Sequence, residues 1–173
     1  MMDISEINPS EFDPYFKRYI SRLNPDESLL HQFKSGGSAI LKYIKSIPED
    51  KLDYRYDKGK WTVKEVIQHI IDTERIFIYR CFRIARHDTT DLAGFDQNIY
   101  ISPSNARSKS IDALIHEYEM TREASLVLLR SLSDSDLQRI GRANGVPVSA
   151  RAAAALIIGH EIWHAEIIKD RYL

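Results

Sequence analysis

His160 and His164 stand four residues apart in the string Gly159-His160-Glu161-Ile162-Trp163-His164. On a helix this spacing puts both side chains on one face, so two imidazoles can point at one ion. The string also fits H-E-x-x-H, a zinc-peptidase pattern in which the Glu is the general base. That reading meets an obstacle. A catalytic zinc needs a third protein ligand and an open position for water. Nine residues follow His164, and none is His; the longer peptidase pattern would need Gly at Ile167 and His at Asp170. A third ligand must therefore come from upstream.

The upstream candidate is His69. It lies two turns into a helix that Thr62 and Glu65 open as a T-x-x-E capping box. His31, His87 and His116 have no histidine partner at helical spacing. At about 100° per residue, Ala153, Leu156, Ile157, His160, Trp163, His164 and Ile167 share one stripe of the last helix, so both histidines face the core. Glu161 falls at the flank of that stripe and is expected at the rim or surface. On the His69 helix, Val66, Ile70, Phe77, Cys81 and Ile84 form the apolar stripe. Glu65, Asp72, Thr73, Ile76 and Arg80 lie on the His69 side, as the wall of a pocket inside a bundle requires.

The elements that must position these residues are almost all helical. Asn8-Pro9-Ser10-Glu11 and Asn24-Pro25-Asp26-Glu27 carry the same start signal of Asn cap, Pro and Glu. The first is expected to open a short helix with Phe12, Tyr15, Phe16 and Tyr19. The second is expected to open a long helix to about Ile47, ended by Pro48, with Gly36-Gly37 bending it or allowing close packing. Further helices are expected over about Val63–Arg86, Ile111–Leu132 and Ala150–Tyr172. The link from His87 to Lys109 has no strong periodicity, and its length lets the helices it joins run parallel. Asn144-Gly145 inside Ile140–Val148 suits a type I′ turn, so a small hairpin is expected there.

Composition bounds the rest. A chain of 173 residues is most simply one domain, residues 1–173, with a real core. A formal net charge of −1 gives no reason to expect nucleic acid or an anionic membrane as partner. Cys81 is the single cysteine, which excludes an intrachain disulfide and fits a reducing cytoplasm. Met1 to Ser10 lacks the basic start and apolar run of a signal peptide, and no stretch approaches the length of a membrane span.

Taken together, Trp61-Thr62-Val63-Lys64-Glu65-Val66-Ile67-Gln68-His69 with Asp72-Thr73-Glu74-Arg75, Gly94-Phe95-Asp96 and Gly159-His160-Glu161-Ile162-Trp163-His164 resemble the DinB/YfiT-like metal-binding four-helix bundles. The resemblance runs from roughly Leu29 to Leu173. It implies an all-α fold whose four long helices run up-down-down-up, with a crossover between the second and third. It implies one divalent ion held by His69, His160 and His164. Characterised members include transferases and isomerases that use low-molecular-weight thiols such as bacillithiol or mycothiol. One departure is Glu166, where many members carry Gln after a small residue.

The chemistry this suggests is that of a metal with an open position. Three neutral imidazoles leave the ion its full charge, and suit zinc, nickel or iron(II). Such an ion lowers the pKa of bound water or thiol. The expectation is a metal-dependent thiol S-transferase or related hydrolase of a small-molecule substrate. The alternative is a non-catalytic, stress-associated metal-binding or scaffolding protein. Arg80, Thr73 and Trp163 are the candidate substrate contacts, Arg80 for a substrate carboxylate. Each signal has a simpler reading. The histidines could be hydrogen-bonded core residues, and Trp163 could be packing. Glu74 reads as half of a buried salt bridge, Asp96 as a turn cap and Cys81 as inert core. Arg75, Arg80, Arg83 and Arg86 read most simply as a solvated basic face. Finally, Ala155, Ile158, Ile162 and Ala165 form a second apolar line on the last helix. Either the N-terminal aromatics or a two-fold partner must cover it, and a homodimer is the expectation.

Overall fold

The computed structural model describes residues 3–173. Met1 and Met2, which head the segment read for a leader, lie outside the described residues. Four long helices make the bundle: α2 (Leu29–Lys45), α3 (Val63–Ala85), α5 (Ile111–Arg130) and α7 (Ala150–Arg171). Each opens on a hydroxyl cap. Ser28, Thr62, Ser110 and Ser149 accept from the backbone N–H groups of His31, Glu65, Ala113 and Ala152. At α3 the box is reciprocal, with Thr62 N–H donating to Glu65 at 2.7 Å.

Cross-links between the helices fix their directions. Gln68 and Glu74 of α3 bond Glu117 and Arg122 of α5 in the same order, so α3 and α5 are parallel. The Tyr172 hydroxyl at the end of α7 donates to the Trp61 carbonyl just before α3, while His160 meets His69 further along, so α3 and α7 are antiparallel. Phe33 and Lys45 of α2 meet Arg122 and Glu119 of α5 in reverse order, so α2 is antiparallel to α5 and the order is up-down-down-up.

The crossover between α3 and α5 is more structured than its sequence suggested. It holds a short strand β1 (Asp91–Leu92) and an eight-residue helix α4 (Gln97–Ser104) capped by Asp96. Two residues of strand and two turns of helix are too short to show a periodicity. The expected hairpin is present as β2 (Ile140–Ala143) and β3 (Val146–Ser149), joined by Asn144 and Gly145 at φ 54° and 77°. Both values are positive, as a type I′ turn needs. β1 pairs parallel to β2, which makes a three-stranded sheet from segments far apart in sequence. A one-turn helix, α6 (Asp134–Leu137), precedes the hairpin.

The two Asn-Pro starts behave differently from expectation. Asn8 and Glu11 do form a capping box, but only over the 3-10 turn Pro9–Glu11. Pro14 has no N–H to continue a helix and holds Asp13 extended, so the chain makes a second 3-10 turn and then a four-residue helix α1 (Lys17–Ile20). After Asn24 the chain stays in turns until Ser28. The carbonyls of Pro25 and Glu27 are taken by the N–H groups of Ser5 and Ile4, so they cannot feed a helical ladder.

α7 is the central element. Every residue from Ala150 to Glu161 is buried. Its alanines let neighbours approach closely, and Gly159 lies so near α1 that a Cβ there would sit 2.2 Å from the Tyr19 carbonyl oxygen. Ala155 and Ile158 of the second apolar line are buried, while Ile162 and Ala165 are half-buried. α1 and α2 of the same chain pack against α7 and cover the buried part of that line. Among the described residues no helix is long and apolar enough to cross a membrane.

Candidate functional site

α3 and α7 bring His69, His160 and His164 together. One nitrogen from each ring lies within 4.8 Å of the others, and these three form the sole candidate ligand cluster among the described residues. His69 Nε2 and His160 Nε2 are 3.0 Å apart. The local reasons are those of the sequence. The i, i+4 spacing stacks His160 and His164 on one face, and the Thr62 cap sets the register that turns His69 towards them.

The three rings are buried but not sealed, since all line one cavity of about 470 Å³. Its walls are aromatic. Trp61 packs on His69, Trp163 on His164 and Tyr19 on His160, with ring centroids 4.8, 4.6 and 5.4 Å apart. Phe16, Phe77 and Phe95 continue the wall, and the hairpin from Ala143 to Val148 closes one side.

Burial makes these imidazoles neutral. It pushes His69 down to about 4. Burial and the neighbouring rings hold His160 well below the ordinary histidine range, and His164 follows for the same reasons. Neutral rings offer lone pairs, which is the state a metal requires. Thr73 Oγ1 faces His69 Nδ1 at 3.4 Å, beside the other ring nitrogen. His164 Nδ1 is buried and has no hydrogen-bond partner among the described residues. As simple packing that leaves an unsatisfied polar atom, at about 1–3 kcal/mol. The donor set and the orphaned nitrogen both fit a divalent cation.

Glu161 requires a correction. It is not at the rim but fully buried. Its carboxylate accepts from Arg122 Nη2 at 2.6 Å and from the Tyr118 hydroxyl at 2.8 Å. Glu74 accepts from the same guanidinium at 2.8 Å, which is the buried salt bridge expected for Glu74. Burial opposes Arg122's charge, but Glu161 and Glu74 outweigh it and hold the group protonated. The physical reason for the miss is the place of α7. In a central helix the flank is interior too, and an ion there must be paired. A signal was present: Arg122 interrupts the apolar row of α5, midway between Tyr118 and Leu126.

The other candidates divide. Thr73, Arg80 and Trp163 line the cavity. Glu65 and Asp72 do not: Glu65 serves the helix cap and Arg55, and Asp72 accepts from Gln68 and Arg75. Arg75 pairs with Glu117, and Arg83 with Asp88. Asp96 caps α4, as expected of a turn residue. Cys81 is in the core, its thiol pushed up to about 12 by burial. Sequence reasoning did not assign Tyr19, Trp61 and Phe95 to the cavity. No helical period links residues on a one-turn helix, a pre-helix loop and a crossover.

Comparison with known proteins agrees with this architecture. The family model of the DinB superfamily matches residues 32–168. A Bacillus licheniformis protein, named provisionally as a metal-dependent hydrolase, is 24% identical over 145 residues, covering 83% of this chain and 82% of its own. A Geobacillus thermodenitrificans protein of the same provisional name is 24% identical over 102 residues, 59% of this chain and 57% of its own. Among solved structures, YfiT from Bacillus subtilis is described as a probable metal-dependent hydrolase with an unusual four-helix bundle topology. It superposes with a TM-score of 0.74 at 16% identity, covering 95% of this chain and 91% of that one. The mycothiol-dependent maleylpyruvate isomerase superposes with a TM-score of 0.64 at 16% identity, over 96% of this chain and 62% of that one. These two superpositions speak for the shared fold alone.

Proposed function

The chain belongs to the DinB superfamily, and on that footing we propose that it is a divalent-metal-dependent enzyme of small-molecule substrates, with His69, His160 and His164 as ligands. The observation that carries this reading is the setting of the three neutral imidazoles. They converge on the wall of an aromatic cavity, with no fourth protein ligand beside them among the described residues. A structural site would be closed by a fourth ligand; an open position next to a cavity suits catalysis. An ion bound there supplies Lewis acidity and a lowered pKa for a nucleophile in its open position.

The chain's own residues have the remaining tasks. Trp61 and Trp163 flank the histidines and limit water access. Thr73 sits where it can orient the His69 ring. Arg80 and Trp163 are placed to touch a substrate in the cavity.

Hydrolysis of an ester or amide is the first reading, in keeping with the names of the relatives. Transfer of a low-molecular-weight thiol is the second, and one observation favours it. The position where a zinc peptidase keeps its general base is Glu161, which is tied to Arg122 and Tyr118 away from the cavity. Coordination alone ionises a thiol, so thiol chemistry needs no such base. A homodimer is not required by either reading, because one chain supplies the whole site.

The test uses untagged protein, stripped with chelator and reloaded with zinc, nickel or iron(II). One panel holds carboxylic esters and amides; the other holds bacillithiol with 1-chloro-2,4-dinitrobenzene. The expected result is turnover in one panel that chelation removes and metal restores. Turnover in neither panel with metal bound would favour the non-catalytic alternative.

A further inference from the structure

Three arginines are buried among the described residues: Arg80, Arg122 and Arg151. Arg122 is paired with Glu74 and Glu161, and Arg151 with Glu11. Arg80 has no such partner. Its residue is only 6% exposed, yet no carboxylate of the described residues lies within 4.0 Å of it. Its single hydrogen bond to the described residues runs from Nη2 to the Ala93 carbonyl at 3.0 Å. The guanidinium lies over Phe77 and Phe95, 5.1 and 5.8 Å from their ring centroids, which fixes its plane. It lines the same cavity as the histidines. A buried charge without a counter-ion is costly, and the open N–H groups face the space where a ligand would lie.

We propose that Arg80 anchors a carboxylate of the substrate, so that the enzyme takes elongated monoanionic acids whose other end reacts at the histidines. The second half rests on the metal-site reading given above; the first does not. A guanidinium fork matches a carboxylate in two parallel hydrogen bonds. A single negative charge is favoured because, among the described residues, the only other formally charged side chain lining the cavity is Asp13. A phosphate dianion there would meet one cation and one anion. Length follows from α3. His69 and Arg80 are eleven residues apart on that helix, about 16 Å along its axis. Between them on α3 the cavity is lined by Thr73 and Phe77, and Leu156 of α7 adds a further apolar side chain.

Both tryptophans of the chain, Trp61 and Trp163, line the cavity, so intrinsic fluorescence reads its occupancy. The probes are octanoate and octanamide, alike in shape and different in charge. They are titrated into wild type, Arg80→Met and Arg80→Lys, each in chelated and zinc-reloaded form. Octanoate should bind chelated wild type more tightly than octanamide. Arg80→Met should weaken octanoate about tenfold or more and leave octanamide unchanged, with partial recovery in Arg80→Lys. If Arg80→Met does not fold, Arg80→Gln keeps an N–H for Ala93 and carries the same comparison. Equal binding of the two probes, or octanoate binding that follows the metal and not Arg80, overturns the proposal. A protein that takes up no metal would remove the metal-site reading while leaving the chelated comparison intact.

Discussion

Glu161 follows His160 in the chain, yet its carboxylate is turned towards α2 and α5 and is bonded to Arg122 and Tyr118. One guanidinium there serves two carboxylates, and Phe33's carbonyl also accepts from it at 3.0 Å. Such a cluster specifies how α2, α3, α5 and α7 meet. It does so from the residue next to His160 without lining the cavity. Glu161→Gln should therefore lower stability and spare the metal. The expected loss is about 2 kcal/mol, the size of a hydrogen bond to a charged group. Chemical denaturation and metal analysis of the same variant check both halves. A normal denaturation midpoint with abolished turnover would instead make Glu161 a catalytic base.

At the scale of elements, the contact of α1 with α7 decides the shape of the cavity. Tyr19 reaches both His160 and Trp163 from α1, and Gly159 is the position that lets α1 come so close. Gly159→Ala would drive a methyl group into the Tyr19 backbone. Overpacking of this kind costs about 1–3 kcal/mol, and the weaker element yields first. The expected outcome is early proteolytic cleavage between Tyr15 and Arg22, while α3 and α7 keep their metal. Protection equal to wild type would show that α1 is held by other contacts. The same contrast explains what could be read from sequence. The long helices and the hairpin were legible because caps, a 3.6-residue period and Asn144-Gly145 are local signals. The histidine cluster was legible because two of its members share one helix. The N-terminal turns were not, since Pro14 and the pairing of Ile4 and Ser5 with distant carbonyls overrule the Asn-Pro starts. The roles of Arg122 and Tyr19 depend on which helix is central, and no single helix records that.

For the whole molecule, burying three neutral histidines couples folding to pH. His69 titrates near 6.5 in an unfolded chain and near 4 in the folded one. Between those values the unfolded state binds more protons. This contribution to the stability of the metal-free protein is thus fully present above pH 6.5 and is lost as the pH falls towards 4. His69 alone accounts for about 3 kcal/mol at most, and His160 and His164 act in the same direction. Urea midpoints of chelated protein from pH 7.5 down to pH 4.5 should fall more steeply for wild type than for His69→Gln. Parallel curves would mean that carboxylates elsewhere set the pH dependence.

The most direct measurement is the metal content of untagged protein by mass spectrometry, for wild type, His160→Ala and Glu161→Gln. If His69, His160 and His164 form the site, wild type and Glu161→Gln carry about one divalent ion per chain and His160→Ala carries almost none. Full occupancy in His160→Ala would contradict the site.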